Sequence, residues 1–236
     1  MALHGNRRHI KRIAKSRMLA IPKKDEVWLK KSAPGAHKKD ESIPLVVLIR
    51  DILKIAATSK EAKMILQKGD VLIDGKVRKA SDYAVGLMDI VSFPKINKHY
   101  QIFVVRGMLK PIETPAEDAK TKSCRILNKT LLKGNKVQLN LHDGKNILIE
   151  KEEDQFRVGD TIRLTVPNWK IDQYIKLEKG ATCYIFKGKH SGDIATLEEI
   201  KELPGGFPSD AKLKKGDKEL ITRKDYLFAV AKGFAF

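Results

Sequence analysis

The sequence predicts an α+β protein made of a basic arm, a helix-helix-hairpin domain, a central β unit and a small C-terminal β-barrel. Three observations predict it. Apolar residues recur at helical spacing only between residues 45 and 69. Short alternating runs and glycine turns follow. The first 41 residues carry almost no core-forming pattern. The expected segments are 1–41, 42–94, 95–174 and 175–236.

In residues 1–41, twelve Lys and Arg stand against Asp25, Glu26, Asp40 and Glu41, a local charge of +8. Bulky apolar residues (Ile10, Ile13, Met18, Leu19, Ile21, Val27, Trp28, Leu29) are too sparse for a core and too irregular for a long helix. This reads as an extended arm that gains order only against a partner, or else as a solvated tail.

From Ser42 the pattern changes. Leu45, Leu48, Ile49 and Ile52 give one apolar helical face, with Pro44 tolerated in the first turn. Thr58 and Glu61 have capping-box spacing, and Gly69 is a natural stop for the helix they begin. Asp74-Gly75 between Val71-Leu72-Ile73 and Lys76-Val77-Arg78 predicts a tight hairpin, because a type I′ turn needs two positive φ angles. Gly86 to Phe93 supplies another strand.

After Pro94 the pattern is all-β. Val137 to Leu141 and Ile147 to Ile149 flank the turn at Asp143-Gly144, and Thr161 to Val166 continues it. From Ile175 onward, Thr182–Phe186, Asp193–Leu197, Glu219–Thr222 and Tyr226–Val230 read as strands of a small barrel. Lys212, Lys214, Lys215 and Lys218 read as a lysine-rich loop, either solvated or in contact with a partner.

Lys and Arg number 47 against 29 Asp and Glu, a net charge of +18 that points to a polyanionic partner. Nucleic acid fits better than membrane, since no apolar run reaches the roughly 18 to 20 residues of a span, and a cytoplasmic location is expected. Arg50 and Lys54 lie four apart, and Lys60, Lys63 and Gln67 fall on one helical face; with Lys76, Arg78 and Lys79 they form candidate phosphate contacts, or simply a solubilising surface. No cofactor, metal or small-molecule substrate is expected. Cys124 and Cys183 form no C-x-x-C pair and the six histidines have no metal-binding spacing. The phosphate-loop lookalike from Gly69 to Gly75-Lys76 has five residues between its glycines, and Val77 stands where Ser or Thr is needed, so enzymatic activity is not expected.

Ser42-Ile43-Pro44-Leu45, Arg50-Asp51, Lys60-Glu61-Ala62, Gly69, Asp74-Gly75-Lys76-Val77-Arg78, Tyr83 and Gly86-Leu87-Met88-Asp89 follow one another in an order that resembles the S-four-type RNA-binding domain. The form resembled is that of the archaeal and eukaryotic small-subunit ribosomal protein family S-four-e (S4e). The likeness extends to His4-Gly5, Arg7-Arg8-His9, Lys11-Arg12, Pro34-Gly35 and His37 in the arm, and to Val158-Gly159-Asp160-Thr161. Ala36 stands where the family has proline. Gly180 to Ile200 is similar to a KOW motif, which implies an SH3-like barrel. In its basic turn, Lys187, Gly188, Lys189, His190 and Gly192 are candidate RNA contacts, unless the turn is an ordinary hairpin loop.

The resemblance implies a non-enzymatic constituent of the small ribosomal subunit that binds its ribosomal RNA and neighbouring ribosomal proteins. It adds Arg7, Arg8, His9, Lys11 and Arg12 to the RNA-binding candidates. Two rivals remain. One is an RNA-modifying enzyme, which needs a catalytic domain with an Arg-Leu-Asp stretch that this sequence lacks. The other is a transcription or translation factor that uses the KOW turn to bind proteins.

Overall fold

The computed structural model describes residues 9–202, 208–216, 218–231 and 234. At its start β1 (His9–Lys11) pairs antiparallel with β2 (Trp28–Lys30). Leu29 is buried, and so are Leu19 and Ile21. The Leu109 N–H donates to Met18 O at 2.7 Å and the Ala33 N–H to Asp82 O at 2.7 Å. The irregularly spaced apolar residues are therefore anchors of an extended chain laid over the fold. This corrects the expectation of an arm without a core for residues 9–41. Arg7 and Arg8, like His4-Gly5, lie outside the described residues.

β3 (Ser42–Pro44) leads into α1 (Leu45–Val47), which widens into a π-helical turn over Leu48–Ile52. Leu45, Leu48 and Ile49 are fully buried, as the helical spacing requires. The capping box forms as expected. Thr58 Oγ1 accepts from the Glu61 N–H at 3.2 Å, and the Glu61 carboxylate takes the Ala57 N–H at 2.9 Å and the Thr58 N–H at 3.4 Å, opening α2 (Ser59–Lys68). Gly69 ends α2 with φ +82°.

The hairpin of β4 (Leu72–Ile73) and β5 (Lys76–Val77) turns through Asp74 at φ +50° and Gly75 at φ +71°, the two positive angles of a type I′ turn. The strand expected over Gly86–Phe93 is two strands instead. β6 (Ala84–Gly86) pairs with β3, while β7 (Ile90–Phe93) pairs with β4, and Met88 at φ +63° parts them. β8 (Lys98–Val105) and β9 (Met108–Glu113) complete a sheet in the order β5-β4-β7-β8-β9. The β7–β8 pairing carries this sheet across residue 94, where a boundary was expected.

The central unit is β10 (Thr121–Leu132), β11 (Lys136–Leu141), β12 (Asn146–Glu150), β13 (Thr161–Thr165) and β14 (Ile171–Ile175), in the order β12-β11-β10-β13-β14. It has its own core around Cys124, Ile126, Leu139 and Ile162. The last sheet holds β15 (Thr182–Ile185), β16 (Ile194–Lys201), β17 (Asp210–Lys215), β18 (Lys218–Arg223) and β19 (Leu227–Ala229), in the order β18-β17-β16-β15-β19. β17 corrects the lysine-rich loop: Ala211 and Leu213 are buried between the outward Lys212 and Lys214, a period of two. The Tyr184 hydroxyl accepts from the Val104 N–H at 2.7 Å and donates to Val104 O at 2.6 Å, which fastens β15 to β8. Among the described residues no helix is long and apolar enough to cross a membrane.

Candidate nucleic-acid interface

On α2, Ala62 and Leu66 face the core, which turns Lys60 and Lys63 to solvent. Lys54 closes the preceding π turn in a left-handed conformation, φ +54°, with its side chain exposed. Lys76 and Lys79 lie exposed on and after the edge strand β5. A Cβ on Gly69 would stand 3.3 Å from Val77 Cγ1, so the hairpin lies against the C-terminal end of α2. Arg50 Nη1 donates to Ser59 Oγ at 2.7 Å, so the π turn lies against the start of α2. Lys54, Lys60, Lys63, Lys76 and Lys79 make no ion pair among the described residues.

Among the described residues, the arginines of the candidate set make contacts within the protein. Arg50 forks onto Asp51 at 2.7 and 3.0 Å and reaches Glu26 at 3.3 Å. Its hydrogen bond to Asp51 raises its already high pKa. Arg78 lies 4.7 Å from the centre of the Tyr83 ring, and its buried Nε has no partner in the protein. Arg12 is buried, with Nε donating to Pro22 O at 2.7 Å and Nη1 to Glu26 at 3.3 Å, and so clasps the loop between β1 and β2. His9 and Lys11 remain exposed on β1.

In the C-terminal turn, Lys189 is exposed, whereas Lys187 pairs with Glu41 at 2.7 Å. His190 is half-buried. The glycines have reasons internal to the fold. A Cβ on Gly192, at φ +98°, would meet Arg106 N at 3.0 Å and Val104 O at 3.1 Å; one on Gly188, at φ +89°, would meet the Tyr226 ring at 3.3 Å. The turn therefore packs its Gly192 side on the β8–β9 hairpin.

A second constellation was not legible in the sequence. Lys122 is fully buried, and its Nζ lies 2.6 Å from Asp89, 2.7 Å from Asp74 and 3.0 Å from Asp143. Lys145 bridges Asp74 at 2.8 Å and Asp143 at 2.7 Å and lies over the Trp169 ring at 3.7 Å. His37 reaches the other oxygen of Asp89 at 2.9 Å. Burial alone would lower the Lys122 pKa, but Asp89 and Asp74 together hold it well above the usual lysine range. Burial alone would likewise raise Asp89 and Asp143, but Lys122, with His37 beside Asp89 and His142 beside Asp143, holds both carboxyls well below the carboxylate range.

Cys124, His142 and Asp143 place one potential metal-ligating atom each within 4.8 Å of one another. Their chemistry is already committed. His142 Nδ1 faces the Arg125 N–H at 3.2 Å and Nε2 faces Leu87 O at 3.1 Å, which fits a neutral ring with both nitrogens engaged. Burial pushes its pKa down to about 4 and keeps the Cys124 thiol protonated, well above its ordinary range. The Asp143 oxygen nearest the thiol is the one held by the two lysines. The cluster is a structural joint between the arm, the hairpin domain and the central sheet.

The family model described as ribosomal family S4e matches residues 96–171. The chain is 43% identical to the small ribosomal subunit protein eS4 of Methanocaldococcus jannaschii, over 98% of this chain and 96% of that protein. It is 41% identical to the protein of the same name from Methanosphaera stadtmanae, over 98% and 95%. The crystal structure of the 30S ribosomal protein S4e from Thermoplasma acidophilum matches with a TM-score of 0.72 at 30% identity, covering 83% of this chain and 97% of that one.

Proposed function

Because this chain belongs to the S4e family of ribosomal proteins, we propose that it is a structural constituent of the archaeal small ribosomal subunit that binds small-subunit ribosomal RNA through lysine side chains and performs no chemistry on it. Its place is then in ribosomes of the cytoplasm, among neighbouring ribosomal proteins.

The observation that carries the RNA-binding part is the division of labour among the cations of the helix-helix-hairpin domain. The guanidinium group of Arg50 is spent on Asp51, while Lys54, Lys60, Lys63, Lys76 and Lys79 are exposed without an acidic partner among the described residues, and the half-buried Arg78 beside the Tyr83 ring has none there either. Unneutralised ammonium groups on a protein of +18 release condensed counterions when they meet phosphate, a favourable term that needs no base reading. Extended A-form RNA presents phosphates and a shallow minor groove, which suits such a surface.

On this reading the arm is stapled to the domain rather than threaded freely through RNA, and His9, Lys11 and Lys189 add outlying contacts. Arg12 and Arg50 support the surface instead of touching phosphate, while Lys187 reaches RNA only by leaving Glu41. The five-stranded C-terminal sheet and its basic turn support the SH3-like barrel with a KOW motif. The pairing of β7 with β8 supports moving the domain boundary from 94 to the end of β9. Relatives matched over nearly their whole length carry ribosomal names, which favours this reading over an RNA-modifying enzyme or a factor.

The test is sedimentation of a tagged copy with small subunits under a high-salt wash. Retention in the particle is expected. Release into the soluble fraction at salt concentrations that leave other subunit proteins bound would contradict the reading.

A further inference from the structure

The ribbon formed by β1 and β2 has two unlike faces. Leu29 is buried on the inner face with Ile10 opposite it in register. On the outer face Trp28 stands opposite Lys11, and His9 stands opposite Lys30. Trp28 is 57% exposed, and its ribbon neighbours Ile13 and Val27 are 65% and 67% exposed. No cation and no second ring among the described residues lies over the Trp28 indole. Lys23 and Lys24, in the loop between the strands, are exposed as well. The ribbon is anchored through its inner face by Leu29 and Ile10, so the exposed Trp28 is not what holds it to the fold.

From this juxtaposition we infer that the outer face of the β1–β2 ribbon is a stacking platform for an unpaired RNA base, with the Trp28 indole under the base and His9, Lys11 and Lys30 beside the flanking phosphates. The inference rests on the RNA-binding reading above and names a site within it. Charge selects the occupant: a flat apolar ring with Lys11 across the ribbon and His9 and Lys30 on the same face fits a base joined to phosphates, and the nearby Asp25 and Glu26 are paired with Arg12. The hydrophobic segment of a protein partner gains nothing from the lysines. Lys30 is paired with Asp82 at 3.8 Å and would have to share or leave that carboxylate to meet a phosphate. A stacked base discriminates single strands from duplex, because duplex bases already stack on one another.

The probe is an oligoadenylate single strand, with an RNA duplex of equal length as the comparison. The full chain carries two tryptophans, so labelling with 5-fluorotryptophan gives two fluorine signals, and Trp28→Phe identifies which is Trp28. The Trp28 signal is expected to shift with the single strand and to move far less with the duplex. Trp169, covered by Lys145, is expected to stay still. Trp28→Ala is expected to weaken single-strand binding at least about fivefold at unchanged salt slope, with Trp28→Phe retaining most of the affinity. A still Trp28 signal at saturating RNA, or wild-type affinity in Trp28→Ala, overturns the platform while leaving the lysine surface intact. Absence of any RNA binding overturns both readings. If Trp28→Ala binds RNA normally but enters reconstituted subunits poorly, the face belongs to a protein neighbour and the inference fails.

Discussion

Lys122 Nζ lies 2.6 Å from the Oδ1 of Asp89, in a fully buried contact between the central sheet and the turn that follows β6. Asp89 uses its other oxygen for His37 and for the Gly86 N–H, so one carboxylate binds three segments of chain. Charges taken out of water are costly unless paired, and removing one partner leaves the others stranded. Lys122→Met should therefore destabilise the protein by about 3–5 kcal/mol, more than truncation of an exposed lysine by an order of magnitude. Denaturant titration of Lys122→Met beside the unmutated protein measures it; near-equal midpoints would show that the joint carries no stability.

His142 gives the joint a pH signature. Its folded pKa is pushed down to about 4, below the roughly 6.5 of an unfolded histidine. The sign follows from proton uptake: between those values the unfolded chain binds a proton that the folded one refuses, so stability is full above pH 6.5 and falls as pH drops toward 4. The depressed carboxyls of Asp89 and Asp143 act lower, with stability lost below about pH 4. Melting temperature should decline from pH 7 to pH 4.5, and His142→Asn should flatten that decline. A parallel decline in the variant would assign it to other groups.

The segment before residue 42 is a structural element, and its anchors should behave as core. Leu29→Ala removes a side chain that is almost fully buried and should cost about 2–5 kcal/mol. Ile13→Ala, at 65% exposure, should change stability by under about 0.5 kcal/mol. Chemical denaturation followed by circular dichroism separates the two, and equal small effects would mean that the ribbon does not hold the fold.

Gly86 is where the arm meets the domain. A Cβ there would lie 2.4 Å from the His37 ring, so Gly86→Ala should expel His37 and lose its contact with Asp89. Faster protease cleavage within residues 31–41 is the expected readout; unchanged cleavage would show that His37 relocates without loosening the segment.

What could be read from the sequence was local. Thr58 with Glu61, Gly69, and Asp74-Gly75 each dictate backbone geometry within four residues, and each formed as expected. The arm misled because Leu19, Ile21 and Leu29 join a core built mainly from later residues, as the Leu19–Leu109 bridge across ninety positions shows, and no period announces them. The β8–β9 hairpin turns through Arg106 at φ +52° and Gly107 at φ +76°, a type I′ pair without the asparagine or aspartate that flags such turns. In β17 the signal was present, as Ala211 and Leu213 alternate with lysines, but the charge outweighed it in the reading. The buried joint gathers residues 37, 74, 89, 122, 143 and 145, which share no spacing at all. The resemblance contained half of it: His37, Asp74 and Asp89 are among its residues, whereas Lys122, Asp143 and Lys145 are not. Basic spacing likewise could not tell Arg50, bound by Asp51, from Lys54, bound by nothing among the described residues.

The central claim is that the lysine face, rather than total charge, is what RNA detects. The direct measurement compares the slope of log K against log salt for two quadruple Lys→Gln variants on a small-subunit ribosomal RNA fragment. One carries Lys54, Lys60, Lys63 and Lys76. The other carries Lys133, Lys136, Lys170 and Lys179, which are exposed and without ion pairs among the described residues; Lys129 and Lys145 are unsuitable controls because Asp154 and the buried joint hold them. Each lost phosphate contact lowers the slope by roughly 0.7 to 0.9. A slope about three units shallower is expected in the first variant and a nearly unchanged one in the second; equal slopes and equal affinities in the two would mean that RNA detects total charge instead.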